Sequence, residues 1–189
     1  KGAAVVNAIN TATKTVDIPI YSIISSSGED ASFTSYLTAA KARGVNIRVM
    51  MNGGYGHASP TVAQAYLAKL KAAPGAGTVG VNYSSNNFSI THQKSIITDA
   101  ADATGKPLSS DALPSTARLV VSTGNFSAGY PVSNPGPWYG ARDFEMTSTN
   151  PADIALAEQT FVSDFSCAPV NVIQPPNEQA TDRLIWSNG

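Results

Sequence analysis

The sequence predicts an α/β fold, specifically an α-β-α layered sandwich in which helices flank a mixed β-sheet. Segments with apolar residues at helical spacing alternate along the chain with short segments rich in β-branched residues. Hydrophobic residues make up 42% of the 189 residues, which is enough for one domain with a sizeable core. No internal repeat is visible, so we expect one α/β domain rather than a repeat array.

The first half of the chain reads as helices that lead into strands. The opening segment places Val5, Val6 and Ile9 on one helical face and runs into a strand over residues 16–21. Pro19 has no N–H to donate, so we predict that this strand lies at a sheet edge or carries a bulge. The next predicted elements are a helix around residues 33–40 that ends at Gly44, a strand over 45–51, a helix around 63–70, and strands over 79–83 and 90–99.

The second half combines polar loops with two further strands and a final helix. Its predicted elements are a surface hairpin over residues 101–117, a strand over 118–122, a polar loop over 128–141, a strand over 143–147 and a helix after it. Asn150 suits the N-cap of that helix and Pro151 suits its first position. We predict a domain over residues 1–168 and a linker over 169–189 that leads to a second lobe or a partner.

Composition narrows the classes of function. Lys and Arg number 12 against 13 Asp and Glu, so the formal net charge is -1 and no basic field indicates a nucleic-acid surface. No run of about 18 apolar residues predicts a membrane span. The abundance of small polar residues is typical of secreted proteins, so we expect an extracellular location. Cys167 is the single cysteine and has no disulfide partner within this sequence.

The segment ITHQKSIITD, residues 90–99, holds one of the two histidines. In an extended strand, residues two apart share a face, so His92 and Lys94 point the same way while Asp99 points to the other side. A lysine buried beside a histidine needs an anion to neutralise it, and a phosphate is the natural occupant. Asp99 is better explained as a hydrogen-bonding anchor at the strand end than as a catalytic acid.

His92, Lys94 and Asp99 reproduce the HxK(x4)D signature of the phospholipase D superfamily, which this chain resembles. The later segment STGNFS, residues 122–127, is similar to the GSxNFS-like segment that follows the signature in that family. The resemblance covers nearly the whole chain up to about Ser166. It implies a phosphodiesterase that hydrolyses or transfers the phosphatidyl group of phospholipids.

The resemblance also implies roles for individual residues. A neutral His92 would attack phosphorus to give a phosphohistidine, while Lys94 and Asn125 would hold the non-bridging oxygens. An acidic residue that orients an active-site histidine aligns with Asp143, and Glu145 is the substitute two residues on. Asp99 completes the catalytic set in its anchoring role. No metal or other cofactor is implied.

Further residues are candidates for contact with the substrate. These are Ser122, Glu145, His57 and Trp138. His57 lies in a glycine-rich loop, where an ordinary loop residue is the competing interpretation. Trp138 lies in the proline-rich loop and either lines a substrate entrance or packs that loop.

The chain departs from the family pattern because it holds one motif where the family site is built from two. We expect the second motif on a second lobe of a longer protein, which would make this chain the N-terminal lobe; pairing of two copies about a twofold axis is the alternative. The pairing alternative corresponds to a homodimeric endonuclease of the same superfamily. A non-catalytic lobe that binds phosphate-bearing ligands is the third hypothesis, and it would never form phosphohistidine.

Overall fold

The computed structural model describes residues 2–25, 28–29, 31–53, 59–84, 90–126 and 143–166. These residues form four α-helices, eight strands and one short 3-10 helix. In chain order they are α1 Ala3–Thr11, β1 Thr15–Ile20, β2 Ile24–Ser25, β3 Gly28–Glu29, α2 Ala31–Ala42, β4 Asn46–Met51, α3 Pro60–Ala72, β5 Val79–Tyr83, β6 Ser95–Thr98, the 3-10 helix Ser110–Ala112, β7 Arg118–Ser122, β8 Glu145–Ser148 and α4 Pro151–Phe165. The predicted loop over residues 128–141 and the linker over 169–189 lie outside this set.

Six strands form one mixed sheet in the order β5-β4-β1-β6-β7-β8. The strands β1, β4 and β5 are parallel, whereas β6, β7 and β8 pair antiparallel with their neighbours. One core lies between the sheet and the helices α1, α2 and α3, and a second core lies between the opposite face and α4. This arrangement confirms the predicted α-β-α sandwich with a mixed sheet.

The prediction that the first strand lies at a sheet edge or carries a bulge is wrong, because β1 is central, between β4 and β6, and its register with both neighbours is constant. Pro19 is tolerated there because the ladder to β6 is interrupted around it. The β6 pairs are Val16 with Thr98 and Asp17 with Ile97, and pairing resumes only as an isolated bridge between Ile20 and Lys94. The missing N–H of a proline is compatible with a central strand where the ladder is broken in this way.

Local sequence signals set the helix ends as predicted. Gly44 follows α2 with a φ of 91°, a left-handed conformation that glycine adopts without steric cost. The Asn150 side chain caps α4 by accepting from the N–H of Ala152, and Pro151 is the first residue of the helix. None of the described helices has both the length and the apolar character needed to cross a bilayer.

A buried ion network joins the sheet to α4. Arg48 on β4 donates from Nε to Asp17 Oδ1 and from Nη2 to Glu158 Oε1, both at 2.6 Å. Its Nη1 donates to the carbonyl oxygen of Gly105 at 2.9 Å, and its guanidinium lies 5.1 Å from the ring centroid of Phe161. Both carboxylates are fully buried. One guanidinium therefore connects β1, the loop around Gly105 and α4.

Burial raises the pKa of both Asp17 and Glu158, even though Arg48 opposes the shift at both sites. The charge of Asp17 also raises the pKa of Glu158. Within the described residues, Asp17 Oδ2 and Glu158 Oε2 are buried and lack a hydrogen-bond partner. One cation faces two carboxyl groups, so the protonated form of Glu158 is favoured in the folded state.

Candidate active site

His92 and Lys94 both contact one aromatic ring, that of Tyr21. The imidazole of His92 lies edge-on to this ring, with centroids 4.7 Å apart and an interplanar angle of 71°. The Nζ of Lys94 lies over the ring at 5.4 Å from its centroid. His92 is exposed, while Lys94 is buried with 7% of its surface accessible. The two side chains thus converge, with the imidazole presented outward and the ammonium behind it.

The backbone around the motif is held by its two neighbouring strands. The Tyr21 N–H donates to the carbonyl oxygen of Gln93 at 2.7 Å, and the Ser122 N–H donates to that of Lys94 at 2.7 Å. β6 begins only at Ser95, so His92 lies outside the regular strand, in contrast to the predicted strand over the whole motif. The convergence of His92 and Lys94 therefore depends on these tertiary bonds as well as on strand alternation.

The electrostatics of the pair favour a neutral imidazole. Partial desolvation lowers the pKa of His92, and the Lys94 ammonium lowers it further. Burial lowers the pKa of Lys94, while the Asp143 carboxylate opposes that shift. Lys94 Nζ donates to the carbonyl oxygen of His92 at 3.0 Å, and the structure shows no second acceptor for it within the described residues. An ammonium has three donors, so the remaining ones suit the oxygens of an anion.

Asn125 follows a tight turn at the end of β7. The Gly124 N–H donates to Ser122 Oγ at 3.0 Å, which folds the chain back after the strand. Phe126 is fully buried against Phe33, with ring centroids 5.0 Å apart, and this anchors the far side of Asn125. The Oδ1 of Asn125 is buried without a hydrogen-bond partner within the described part of the chain. Ser122, which was predicted to contact substrate, therefore stabilises this turn through its hydroxyl group.

Asp143 is held at the same end of the sheet by Thr123. The Thr123 hydroxyl contacts Asp143 Oδ1 at 3.1 Å and accepts from the Phe144 N–H at 2.9 Å. Glu145, the predicted substitute, instead accepts from the N–H of Ala4 at 3.3 Å in the first turn of α1. Of the two carboxylates, Asp143 is the one whose charge acts on Lys94.

Asp99 occupies the anchoring position that the sequence predicts. It is fully buried, has a φ of 55°, and accepts from the backbone N–H groups of Thr13, Lys14 and Thr15 at 2.7 to 3.2 Å. Its Oδ2 also accepts from the hydroxyls of Thr13 and Thr116 at 3.0 and 2.6 Å. These bonds tie the end of β6 to the start of β1, away from the imidazole at the other end of the motif.

We expect Asp99→Ala to lower the free energy of unfolding by about 3 kcal/mol, because three backbone donors lose their acceptor and alanine disfavours a positive φ. Asp99→Asn should cost less, since asparagine tolerates that φ and keeps one acceptor oxygen. Urea denaturation of both variants checks this. Equal stability of the alanine variant and the parent protein would contradict the anchoring role.

Two sequence-predicted residues, His57 and Trp138, lie outside the described residues, and their relation to the site stays a prediction. Sequence reasoning missed Tyr21 and Thr123. The only available signals were an aromatic residue at the end of the first strand and a threonine beside the glycine turn, and neither indicates a catalytic neighbour by itself. No group of three or more potential metal-ligating side chains occurs among the described residues.

A family model described as cardiolipin synthase, PLD-like domain, matches residues 5–132. This range contains His92, Lys94, Asp99 and Asn125, which are the residues whose geometry is given above. The chain belongs to the phospholipase D superfamily. Members of this superfamily are phosphoryl-transfer enzymes, and the imidazole and ammonium at Tyr21 lie within the range that matches the family. The match ends before Asp143, so the position of Asp143 near the site is supported by the structure and not by the family model.

Among solved structures, the polyphosphate kinase from Porphyromonas gingivalis is similar in fold, with a TM-score of 0.56 and 18% sequence identity. The similarity covers 91% of this chain and 25% of that chain. The phospholipase D-like chain therefore spans about a quarter of the length of the kinase, and at this identity the likeness shows the fold alone. A search of curated proteins found no match.

Proposed function

We propose that this chain carries one half of the active site of a phospholipase D-type phosphodiesterase, which moves the phosphatidyl group of a phospholipid to water or to an alcohol. The observation that carries the proposal is the convergence of an exposed imidazole with a buried ammonium on one tyrosine ring. A neutral imidazole is a nucleophile, and a desolvated ammonium stabilises developing negative charge. The lowered pKa of His92 supports this division of roles.

The proposed reaction has two steps. A ring nitrogen of His92 attacks phosphorus, the phosphorus–oxygen bond to the leaving group breaks, and that oxygen takes a proton from a second histidine. Water or an alcohol then attacks the phosphohistidine and returns a proton to the second histidine, which frees His92. Lys94 and Asn125 hold the non-bridging oxygens in both steps.

The second histidine has to come from outside the described motif. Domains of this superfamily typically work in pairs, either as two lobes of one protein or as two copies. We propose a second lobe of the same longer protein as the source. Asp143, held by Thr123, is the carboxylate proposed to orient that incoming histidine.

A phospholipid substrate is supported by exposed apolar side chains that are close in sequence to the reactive groups. Ile90, two residues before His92, is 44% exposed, and Phe144, next to Asp143, is 72% exposed. The formal net charge of -1 gives little general attraction for a polyanion such as DNA. A lipid with one phosphodiester and apolar chains suits these surroundings better than a nucleic acid does.

The test is to trap the covalent intermediate on the full-length protein. The protein is incubated with phosphatidylcholine vesicles or with plasmid DNA, denatured and digested near neutral pH so that neither the phosphorus–nitrogen bond nor the acyl esters are cleaved, and the His92 peptide is examined by mass spectrometry. We expect an acid-labile phosphatidyl adduct on His92 with vesicles, absent in His92→Ala and retained in Lys14→Ala, which removes an exposed lysine. A DNA-derived adduct would establish the endonuclease alternative instead, and no adduct with either substrate would establish a non-catalytic lobe.

We expect a chelator to leave the phosphodiesterase activity unchanged. The proposed chemistry uses an imidazole as nucleophile and an ammonium to stabilise charge, so it needs no metal ion. The measurement is the initial rate on phosphatidylcholine before and after dialysis against EDTA. A loss that a divalent cation restores would contradict the mechanism, although vesicle binding must be measured in parallel because divalent ions also change vesicle surfaces.

A further inference from the structure

We infer that Tyr21 is a positioning residue of this site, whose ring holds His92 in its reactive orientation and keeps the Lys94 ammonium beside it. This inference rests on the proposed function, which makes His92 the nucleophile and Lys94 the phosphate ligand. It concerns a residue outside the HxK(x4)D signature, 71 positions before His92 by their numbers in the sequence. It follows from the placement of one ring against both reactive groups.

The ring of Tyr21 is fixed by the backbone that carries it. Tyr21 directly follows β1, and its N–H donates to the carbonyl oxygen of Gln93, the residue between His92 and Lys94. The preceding residue, Ile20, forms the isolated bridge to Lys94. A central strand and the catalytic segment are thus joined at the backbone that carries the ring, so the Cα of Tyr21 keeps a constant position relative to the motif.

The face of the Tyr21 ring attracts the Lys94 ammonium. An ammonium within about 6 Å of an aromatic centroid is attracted by the negative face of the ring, and more so when water is excluded. Lys94 Nζ meets this criterion at 5.4 Å and is buried. The charged groups that act on Lys94 among the described residues are Asp143, which favours its ammonium form, and His92 when protonated. The ring favours the ammonium without adding a charge.

The contact between the Tyr21 and His92 rings restricts the orientation of the imidazole. Rings at 4.7 Å with an angle of 71° form an edge-to-face contact, which is a favourable geometry for aromatic pairs. His92 lies outside β6 and is exposed, so strand packing does not restrict its side-chain rotamer. The contact with Tyr21 supplies that restriction. An oriented nucleophile loses less entropy on reaching in-line geometry.

The experiment compares Tyr21→Phe, which keeps the ring, with Tyr21→Leu, which removes it. Tyr36→Leu is the matched control, because Tyr36 is a half-buried tyrosine on α2. On phosphatidylcholine vesicles the full-length Tyr21→Leu enzyme should lose about tenfold in kcat with KM changed by less than about threefold, and the phenylalanine and control variants should stay within about threefold of the parent. A purely structural role would not separate the two Tyr21 variants in this way.

A second readout does not depend on turnover. Nitrogen and carbon NMR shifts of Lys94, assigned with Lys94→Ala, should titrate about one pH unit lower in Tyr21→Leu than in Tyr21→Phe. Equal titration in these two variants would overturn the inference, as would a loss of kcat in Tyr21→Phe equal to that in Tyr21→Leu. Absence of turnover in the parent protein would defeat the proposed function, while the titration would still decide the role of the ring.

Discussion

Replacement of His92 by alanine is expected to lower kcat on a phosphodiester substrate by at least about a thousandfold, because the covalent intermediate can no longer form. His92 is exposed and belongs to neither hydrophobic core, so the fold should be kept. The measurement is the initial rate with phosphatidylcholine vesicles, with circular dichroism to check the fold. A variant that kept a tenth of the parental rate would contradict the nucleophile assignment.

The pH profile of the parent enzyme provides a second check on His92. Only the neutral imidazole is a nucleophile, and partial desolvation and Lys94 lower its pKa below the ordinary histidine value. The acid limb of kcat/KM that belongs to His92 should therefore fall below about pH 6.5. In Lys94→Met this limb should move to higher pH, since the positive charge that disfavours protonation of His92 is gone. An unchanged limb would show that the two groups are not electrostatically coupled.

Replacement of Arg48 by methionine is expected to lower the free energy of unfolding by about 3 to 5 kcal/mol, the usual effect of removing one member of a buried ionic network. Methionine keeps the length of the side chain but leaves the fully buried carboxyls of Asp17 and Glu158 without their cation. Urea denaturation at pH 7 measures the loss. Arg43→Met is the control, because Arg43 is exposed and its guanidinium bonds to an uncharged group, the carbonyl oxygen of Ile9, so no buried charge loses its partner and the cost should be under about 1 kcal/mol. Equal losses in the two variants would contradict the importance of the network.

Glu158→Gln tests the charge state of that network. A carboxyl group with a raised folded pKa contributes stability that is fully present below its unfolded pKa, about 4.3, and is lost as the pH rises through the folded value. Glutamine keeps an acceptor for Arg48 and adds a donor for Asp17, so it mimics protonated Glu158. The stability of Glu158→Gln relative to the parent should therefore rise between pH 4 and pH 8. A constant difference across that range would show that folding does not raise the pKa of Glu158.

Local patterns were sufficient to predict the helices and the family. Asn150 and Pro151 mark the start of α4 by their own chemistry, and Gly44 follows α2 because only glycine adopts a positive φ without cost. The signature of His92, Lys94 and Asp99 lies within eight residues, so its match needed no tertiary information. The anchoring position of Asp99 also followed from strand alternation, because alternation separates it from the other two.

Contacts between distant segments escaped prediction. The position of Pro19 in a central strand depends on how β1 pairs with β4 and β6, and proline chemistry alone suggested an edge. Glu145 meets Ala4 across 141 positions, and Arg48 meets Glu158 across 110. Residues that are so far apart in sequence show no spacing pattern from which their contact could be predicted.

The sequence by itself determined the α/β class, the helix ends and the phosphoryl-transfer signature, because each depends on residue types within one turn or one strand. The tertiary structure alone decided the surroundings of that signature. It placed the Tyr21 ring against both His92 and Lys94, tied Asp143 to Thr123, and buried two carboxyl groups around Arg48. The physical reason is that pKa values and side-chain orientation depend on burial and on neighbours in space, which folding brings together from distant parts of the chain.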